Sequence, residues 1–164
     1  ANSLDIITAH HVIEHMVDPV KSFEILRKWL KPGGKILAEV PNVNSRLHAP
    51  SRRFHFAHLY NFNPENFMAL GQKTKLGIEQ LNIEPKTGHI FVVFKKNGGD
   101  KIAFDLAKGT EQTRKVLQNH TRFSHYISAQ PYTRFFNNLM RPLREKSGIA
   151  AQTNPKKLLD RIYN

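Results

Sequence analysis

Residues 4–40 read LDIITAHHVIEHMVDPVKSFEILRKWLKPGGKILAEV, and the order of patterns in this stretch decides the fold. Leu4-Asp5-Ile6-Ile7-Thr8-Ala9 is a short, β-branched apolar run of the kind that forms a buried parallel strand. His10 to Met16 is a polar turn or short helix. Asp18-Pro19 then marks a helix start, with Asp as N-cap and Pro at the first helical position. Val20, Phe23, Leu26, Trp29 and Leu30 recur three or four apart and make one apolar stripe. Pro32-Gly33-Gly34 is expected to stop that helix, and Lys35–Val40 to form a second strand, closed by Pro41-Asn42.

Working outward, residues 42–62 form a long connection rich in basic and aromatic side chains, including Arg46, His48, Arg52, Arg53, His55 and His58. Connections this long inside compact domains usually serve function. Asn63-Pro64 opens another helix, with Phe67, Met68 and Leu70 facing inward. Gly77–Glu84 and His89–Lys96 flank Pro85-Lys86-Thr87-Gly88 and read as an antiparallel hairpin. Strand, helix, strand, helix and hairpin in that order give an α/β pattern.

Asn97-Gly98-Gly99-Asp100 marks a boundary, which divides the chain into residues 1–97 and a basic helical extension over 98–164. In the extension, Val116, His120, Phe123 and Ile127 fall at helical spacing, with Thr110 as N-cap and Pro131 as terminator. Phe135, Leu139 and Leu143 continue as a second stripe kinked at Pro142. Asn154-Pro155 opens a last helix through Leu158, Leu159 and Ile162.

The chain has 164 residues, 25 Lys and Arg against 13 Asp and Glu, a net charge of +12, and no cysteine. The length suits one domain. Eleven Phe and several aliphatic runs require a core. The lack of Cys excludes a disulfide scaffold, a thiolate metal site and a cysteine nucleophile. No apolar run approaches the ~18 residues that span a bilayer, so a cytoplasmic setting is expected. The chain opens Ala1-Asn2-Ser3 straight into a strand, which reads as a chain beginning inside a larger protein. Of the basic residues, 12 lie beyond residue 97 against 5 acidic ones. A solvated helix face and a surface for nucleic acid both account for that excess.

The order Glu14-His15, Asp18-Pro19, Leu30-Lys31-Pro32-Gly33-Gly34 and then His58-Leu59-Tyr60-Asn61-Phe62-Asn63-Pro64-Glu65 resembles the second half of a class I S-adenosylmethionine-dependent methyltransferase. The resemblance runs from residue 4 to about residue 96. It implies a partial doubly wound, Rossmann-like sheet, with Leu4–Ala9 as the family's fourth strand, Lys35–Val40 as its fifth, and the hairpin as its last two. It also implies S-adenosylmethionine as cofactor, contacted by His10. The acceptor would be a small molecule or saccharide, methylated on O, N or C. The family's Gly-rich turn after its first strand is absent from this sequence, as is the acidic residue that holds the cofactor ribose. These normally supply most cofactor contacts, so the isolated chain is expected to be inactive.

His11, Glu14 and His15 are spaced i, i+3 and i+4, which places them on one helical face and suits a divalent cation. Similar methyltransferases bind a metal through Glu-x-x-Glu-His and a later His. Here His11 stands where they have the first Glu, and His58 is the candidate distant ligand. A histidine acting as general base on an acceptor hydroxyl is the other reading of this set. The Arg46–Tyr60 loop suits an anionic acceptor or a plain acceptor lid. A strand at Leu4–Ala9 without its family neighbour offers a free edge, expected to self-associate or to be covered by the C-terminal helices. A non-catalytic module that docks a protein or nucleic acid through its basic helices is the rival function.

Overall fold

In the computed structural model, four strands form one sheet in the order β1-β2-β4-β3. The structure describes residues 1–99 and 103–129, together with Tyr132, Phe136, Leu139, Met140 and Pro142. Strand β1 (Leu4–His10) runs parallel to β2 (Leu30–Val40), and the hairpin of β3 (Leu76–Ile83) and β4 (Ile90–Lys96) adds to β2 antiparallel through β4. The parallel β1–β2 pair and the antiparallel hairpin are those that the resemblance implies, and the structure adds that β4 is the hairpin strand beside β2.

Helix α1 (Pro19–Trp29) crosses from β1 to β2, and the Asp18 carboxylate caps it by accepting from the Lys21 amide at 2.9 Å. The helix ends before Pro32-Gly33-Gly34. Leu30 is already extended and pairs with Leu4, so β2 begins five residues earlier than Lys35. The Pro-Gly-Gly stretch is taken up as an irregularity in the ladder, since Leu4 faces Leu30 and Ile6 faces Lys35. Gly33 sits there at φ 78°.

Helix α2 (Pro64–Lys73) is held at its start by a reciprocal capping box between Asn63 and Asn66. On one face of the sheet Ile36, Ala38, Val40, Val92 and Phe94 are buried, in one core cluster with Phe23 of α1 and Phe67 of α2. Phe23, Phe67 and Phe94 meet edge to face, with centroids 5.3–6.3 Å apart. The other face carries Lys35, Leu37 and Glu39 of β2, all half-buried. It is this second face that positions the site.

A single turn of 3-10 helix at Ile13–His15 stands between β1 and α1, and another at Pro50–Arg52 lies in the 42–62 connection. Helix α3 (Leu106–Asn119) is capped by Asp105 and not by Thr110, whose hydroxyl instead bonds back to the Leu106 carbonyl. Asp105 accepts from an N-terminal amide that Thr110, one turn into the helix, cannot reach. The expected single helix through Ile127 is broken at His120, and α4 (Arg122–Ile127) follows. Helix α3 packs on α2. The compact unit spans Ala1–His125, so it carries on past the Asn97-Gly98 turn, and Tyr126–Asn164 form a second unit. Pro131, Phe135, Leu143 and the 154–162 helix lie outside the described residues.

Strand β1 pairs on one side only, with β2, among the described residues. The His11 amide donates to the Glu39 carbonyl. By the alternation of a ladder, the amides of Ile7 and Ala9 therefore face β2, and those of Thr8 and His10 point to the free edge.

Gly71 of α2 lies directly over β4, and a Cβ there would overlap the Phe94 ring. Gly71→Ala is expected to destabilise the chain by about 1–3 kcal/mol despite the better helix propensity of Ala. Denaturant unfolding checks this, and a stability equal to or above that of the parent would contradict the close approach.

Candidate functional site

The carboxyl end of the parallel pair gathers most of the chemistry-bearing side chains. His10 and Glu39 are register partners on β1 and β2, on the face that the helices leave open. Their side chains bond, with His10 Nδ1 3.0 Å from Glu39 Oε2. His89, at the start of the hairpin's return, places Nδ1 2.9 Å from Glu39 Oε1. His11 follows His10 at φ 52°, a left-handed conformation uncommon for a side chain of this size. In an extended chain consecutive side chains point to opposite faces. This turn brings His11 to the same carboxylate, with Nε2 3.7 Å from Glu39 Oε1.

Burial pushes the Glu39 carboxyl up. The hydrogen bonds from His89 and His10, with the charge of His11, outweigh that and hold it below the usual carboxylate range.

Glu14 lies on the other side of His11. Its side chain is 1% exposed, and neither carboxylate oxygen has a hydrogen-bond partner. His11 Nδ1 is 3.3 Å and His15 Nε2 3.9 Å from Glu14 Oε1. His15 Nδ1 is 2.8 Å from the Ala57 carbonyl. That nitrogen must therefore donate, which leaves Nε2 facing Glu14. His58 completes the group, its ring 4.8 Å from that of His15. Burial holds the His58 imidazole below its usual pKa, against the pull of Glu14. The connection is clasped here by its own backbone, since the amides of Leu59 and Tyr60 both donate to the Glu14 carbonyl.

The residues singled out in the sequence thus converge, although His11 joins through its left-handed turn and not through a shared helical face. Two groups of donor atoms, each within 4.8 Å, result: Glu14, His15 and His58, and His11, Glu39 and His89. Glu39 and His89 were not legible as site residues. The available signal for Glu39 was an acidic residue in an apolar strand, at the end where doubly wound sheets take ligands.

Residues 1–73 match the family profile of a methyltransferase domain. A chain in the Haloferax volcanii complex containing the Trm112 methyltransferase activator superposes with a TM-score of 0.50 at 13% identity, over 59% of this chain and 56% of that one. The α/β part of this chain has a methyltransferase-like fold. An O-methyltransferase family protein from Burkholderia thailandensis gives a TM-score of 0.46 at 10% identity, over 60% of this chain and 32% of that one. The chain therefore spans 56% and 32% of the lengths of these two neighbours. No curated protein matches it. No helix among the described residues is long and apolar enough to cross a membrane.

Around the methyltransferase-like core, a cleft of about 600 Å³ opens between the 42–62 connection and α3, lined by Val43, Phe54, Asn61, Asn63, Thr113 and Leu117 among others. None of the clustered histidines lines it. Beside α3, Arg53 Nη2 donates to His120 Nδ1, and His120 Nε2 lies 3.0 Å from His125 Nδ1. This chain of bonds ties the connection to the break between α3 and α4. Burial, with the charge of Arg53, keeps the His120 imidazole below its usual pKa and so neutral, as an acceptor from Arg53 must be.

A proton thus binds His120 more readily in the unfolded chain. As pH falls through about 6.5, the unfolded state gains that proton first, and stability drains away until the folded pKa is passed. His120→Gln is expected to flatten the loss of thermal stability between about pH 7 and pH 5 relative to the parent. Unfolding midpoints across that range measure it, and an unchanged slope would show that His120 does not titrate differently on folding.

Proposed function

We propose that this domain serves S-adenosylmethionine-dependent methyl transfer to a small-molecule or saccharide acceptor, with its sheet acting as the second half of the family's doubly wound sheet. The observation that carries this is the gathering of His10, His11, Glu14 and His15 at the carboxyl end of β1 in a chain whose strand order and residues 1–73 match that family. The cofactor, when bound, supplies a methyl group on a sulfonium. The fit of the residues here is partial. Among the described residues no Gly-rich turn leads from a strand into a helix: Gly33-Gly34 lie within β2, and Gly98-Gly99 follow β4. His10 supplies one wall and a polar contact, and no reaction step is derived through the cofactor.

For a divalent cation the residues do fit. The buried Glu14 carboxylate without hydrogen-bond partners needs compensation, because an isolated ionised carboxylate away from water is costly. Glu14, His15 and His58 would hold the cation, His15 through Nε2 while its Nδ1 hydrogen bond to Ala57 fixes the ring. A cation there would bind and orient an acceptor oxygen. The exposed Phe56, beside His55 whose ring lies 5.0 Å from that of His58, suits a lid over such an acceptor.

Calorimetry is expected to show no micromolar binding of S-adenosylmethionine by the 164-residue chain. In a longer polypeptide carrying a Gly-rich strand–helix unit ahead of Ala1, binding and methyl transfer are expected. His10→Ala should then weaken binding severalfold, as for a polar contact of about 1 kcal/mol. Micromolar binding by the chain alone, or undiminished affinity in the longer variant, would overturn these assignments.

Apart from the rival docking through the basic helices, the free edge of β1 is itself a surface for self-association. Its outward amides at Thr8 and His10 invite a second strand, and a second copy of the chain is the partner at hand. Sedimentation at rising concentration is expected to show self-association that Thr8→Pro abolishes while the sheet survives, because this amide makes no intramolecular ladder bond. A parent chain monomeric throughout would remove the edge as an interface.

A further inference from the structure

The methyltransferase reading does not use Glu39 and His89, yet β1, the strained turn after it and the residue before β4 bring three imidazoles to that single carboxylate. Glu39 sits on the helix-free face of β2, opposite His10 in register. The β4 partner of Glu39 is Phe91, and His89 lies two residues before it, at the same end. His11 reaches the group only through its left-handed backbone, a conformation that costs roughly 1–2 kcal/mol. Such outliers persist where the surroundings enforce them, and they concentrate at functional sites.

We propose that His11, Glu39 and His89 form a second divalent-metal site, separate from Glu14, His15 and His58 and selective for Zn²⁺-class ions over Mg²⁺. Two imidazole nitrogens and one carboxylate oxygen are a borderline donor set, which suits zinc better than a hard oxygen-seeking cation. Bonds of about 2.0–2.2 Å in a tetrahedron put ligand atoms ~3.4 Å apart. The observed separations from Glu39 Oε1 bracket that value, 2.9 Å to His89 Nδ1 and 3.7 Å to His11 Nε2. Three protein ligands leave one coordination position open to water or an exogenous ligand.

The flanking groups fit the same assignment. His10 engages the other carboxylate oxygen, Oε2, and so orients Glu39 while leaving Oε1 for the ion. Coordination through His11 Nε2 fixes the proton on Nδ1, which faces the buried Glu14 carboxylate at 3.3 Å. A carboxylate behind a ligating histidine is the usual support of a metal site. When His89 ligates through Nδ1 it gives up its hydrogen bond to Glu39 and carries its proton on Nε2.

The test counts Zn²⁺ equivalents on the full chain by competition with a chromophoric chelator, and reads Co²⁺ absorption for tetrahedral geometry. His58→Ala disables the Glu14 group and is expected to retain one equivalent. Glu39→Gln or His89→Gln in that background should weaken the remaining equivalent by about tenfold or more. Far-UV circular dichroism confirms that the variants fold. In the parent, independently of any variant, the imidazole NMR signals of His11 and His89 should move on Zn²⁺ addition and not on Mg²⁺ addition. Zn²⁺ affinity unaffected by both Glu39→Gln and His89→Gln, or no His89 shift in the parent, would overturn the site. Cofactor binding and methyl transfer are separate readouts, so failure of the methyltransferase reading would leave this result standing.

Discussion

The parallel pairing of β1 with β2 is the constraint on which the rest of the structure depends. It fixes His10 opposite Glu39 and sends the chain out of β1 at the end where β2 also finishes. Side chains alternate along a strand, so a slip of one residue would carry Glu39 under the helices and bring an apolar neighbour to the open face. That slip is opposed by Ile36, Ala38 and Val40, which are fully buried against the cluster containing Phe23 and Phe67. The packing of the apolar face therefore determines the geometry of the polar one. The hairpin extends the same logic, because its register with β2 places His89 beside Glu39.

Electrostatics at this end of the sheet run against the sign of the chain as a whole. The protein carries a net charge of +12, yet two carboxylates sit among five imidazoles here. Glu39 is stabilised as an anion by bonds that it accepts from His10 and His89. Glu14 has no such bonds to its oxygens and is more deeply buried. Its nearest compensation is His11 on one side and His15 on the other. One histidine, His11, faces both carboxylates through its two ring nitrogens. Its backbone strain is the local cost of that double contact.

The elements were legible in the sequence where local signals agree with tertiary packing. Asp18-Pro19 and Asn63-Pro64 are N-terminal caps by composition and in the structure, and the hairpin follows from Pro85-Lys86-Thr87-Gly88 between two apolar runs. Helical spacing and strand pairing both claim Leu30, and the pairing with Leu4 wins. Thr110 and Asp105 are both capping residue types, and Asp105 holds the position because its carboxylate meets the Lys108 amide. At the site, Glu14, His15 and His58 could be named from spacing and resemblance. Glu39 and His89 could not, since their meeting depends on a register between strands about 50 residues apart. No local pattern encodes such a pairing.

The 42–62 connection carries the last link between fold and site. It has little regular structure of its own beyond one 3-10 turn, so its shape has to come from what it touches. At one point it accepts the His15 ring on the Ala57 carbonyl and gives two amides to the Glu14 carbonyl. At another it reaches with Arg53 to His120, where α3 ends. Both anchors are imidazoles, and both depend on which nitrogen holds the proton. A proton on His120 Nδ1 would remove the acceptor that Arg53 uses, while a cation on His15 Nε2 would leave the Ala57 bond intact. The same connection is thus fastened at the site by a bond that ligand binding preserves, and at α3 by one that acid would break. Its response to a ligand and its response to pH are therefore separable in origin, although both are expressed in the position of the same stretch of chain.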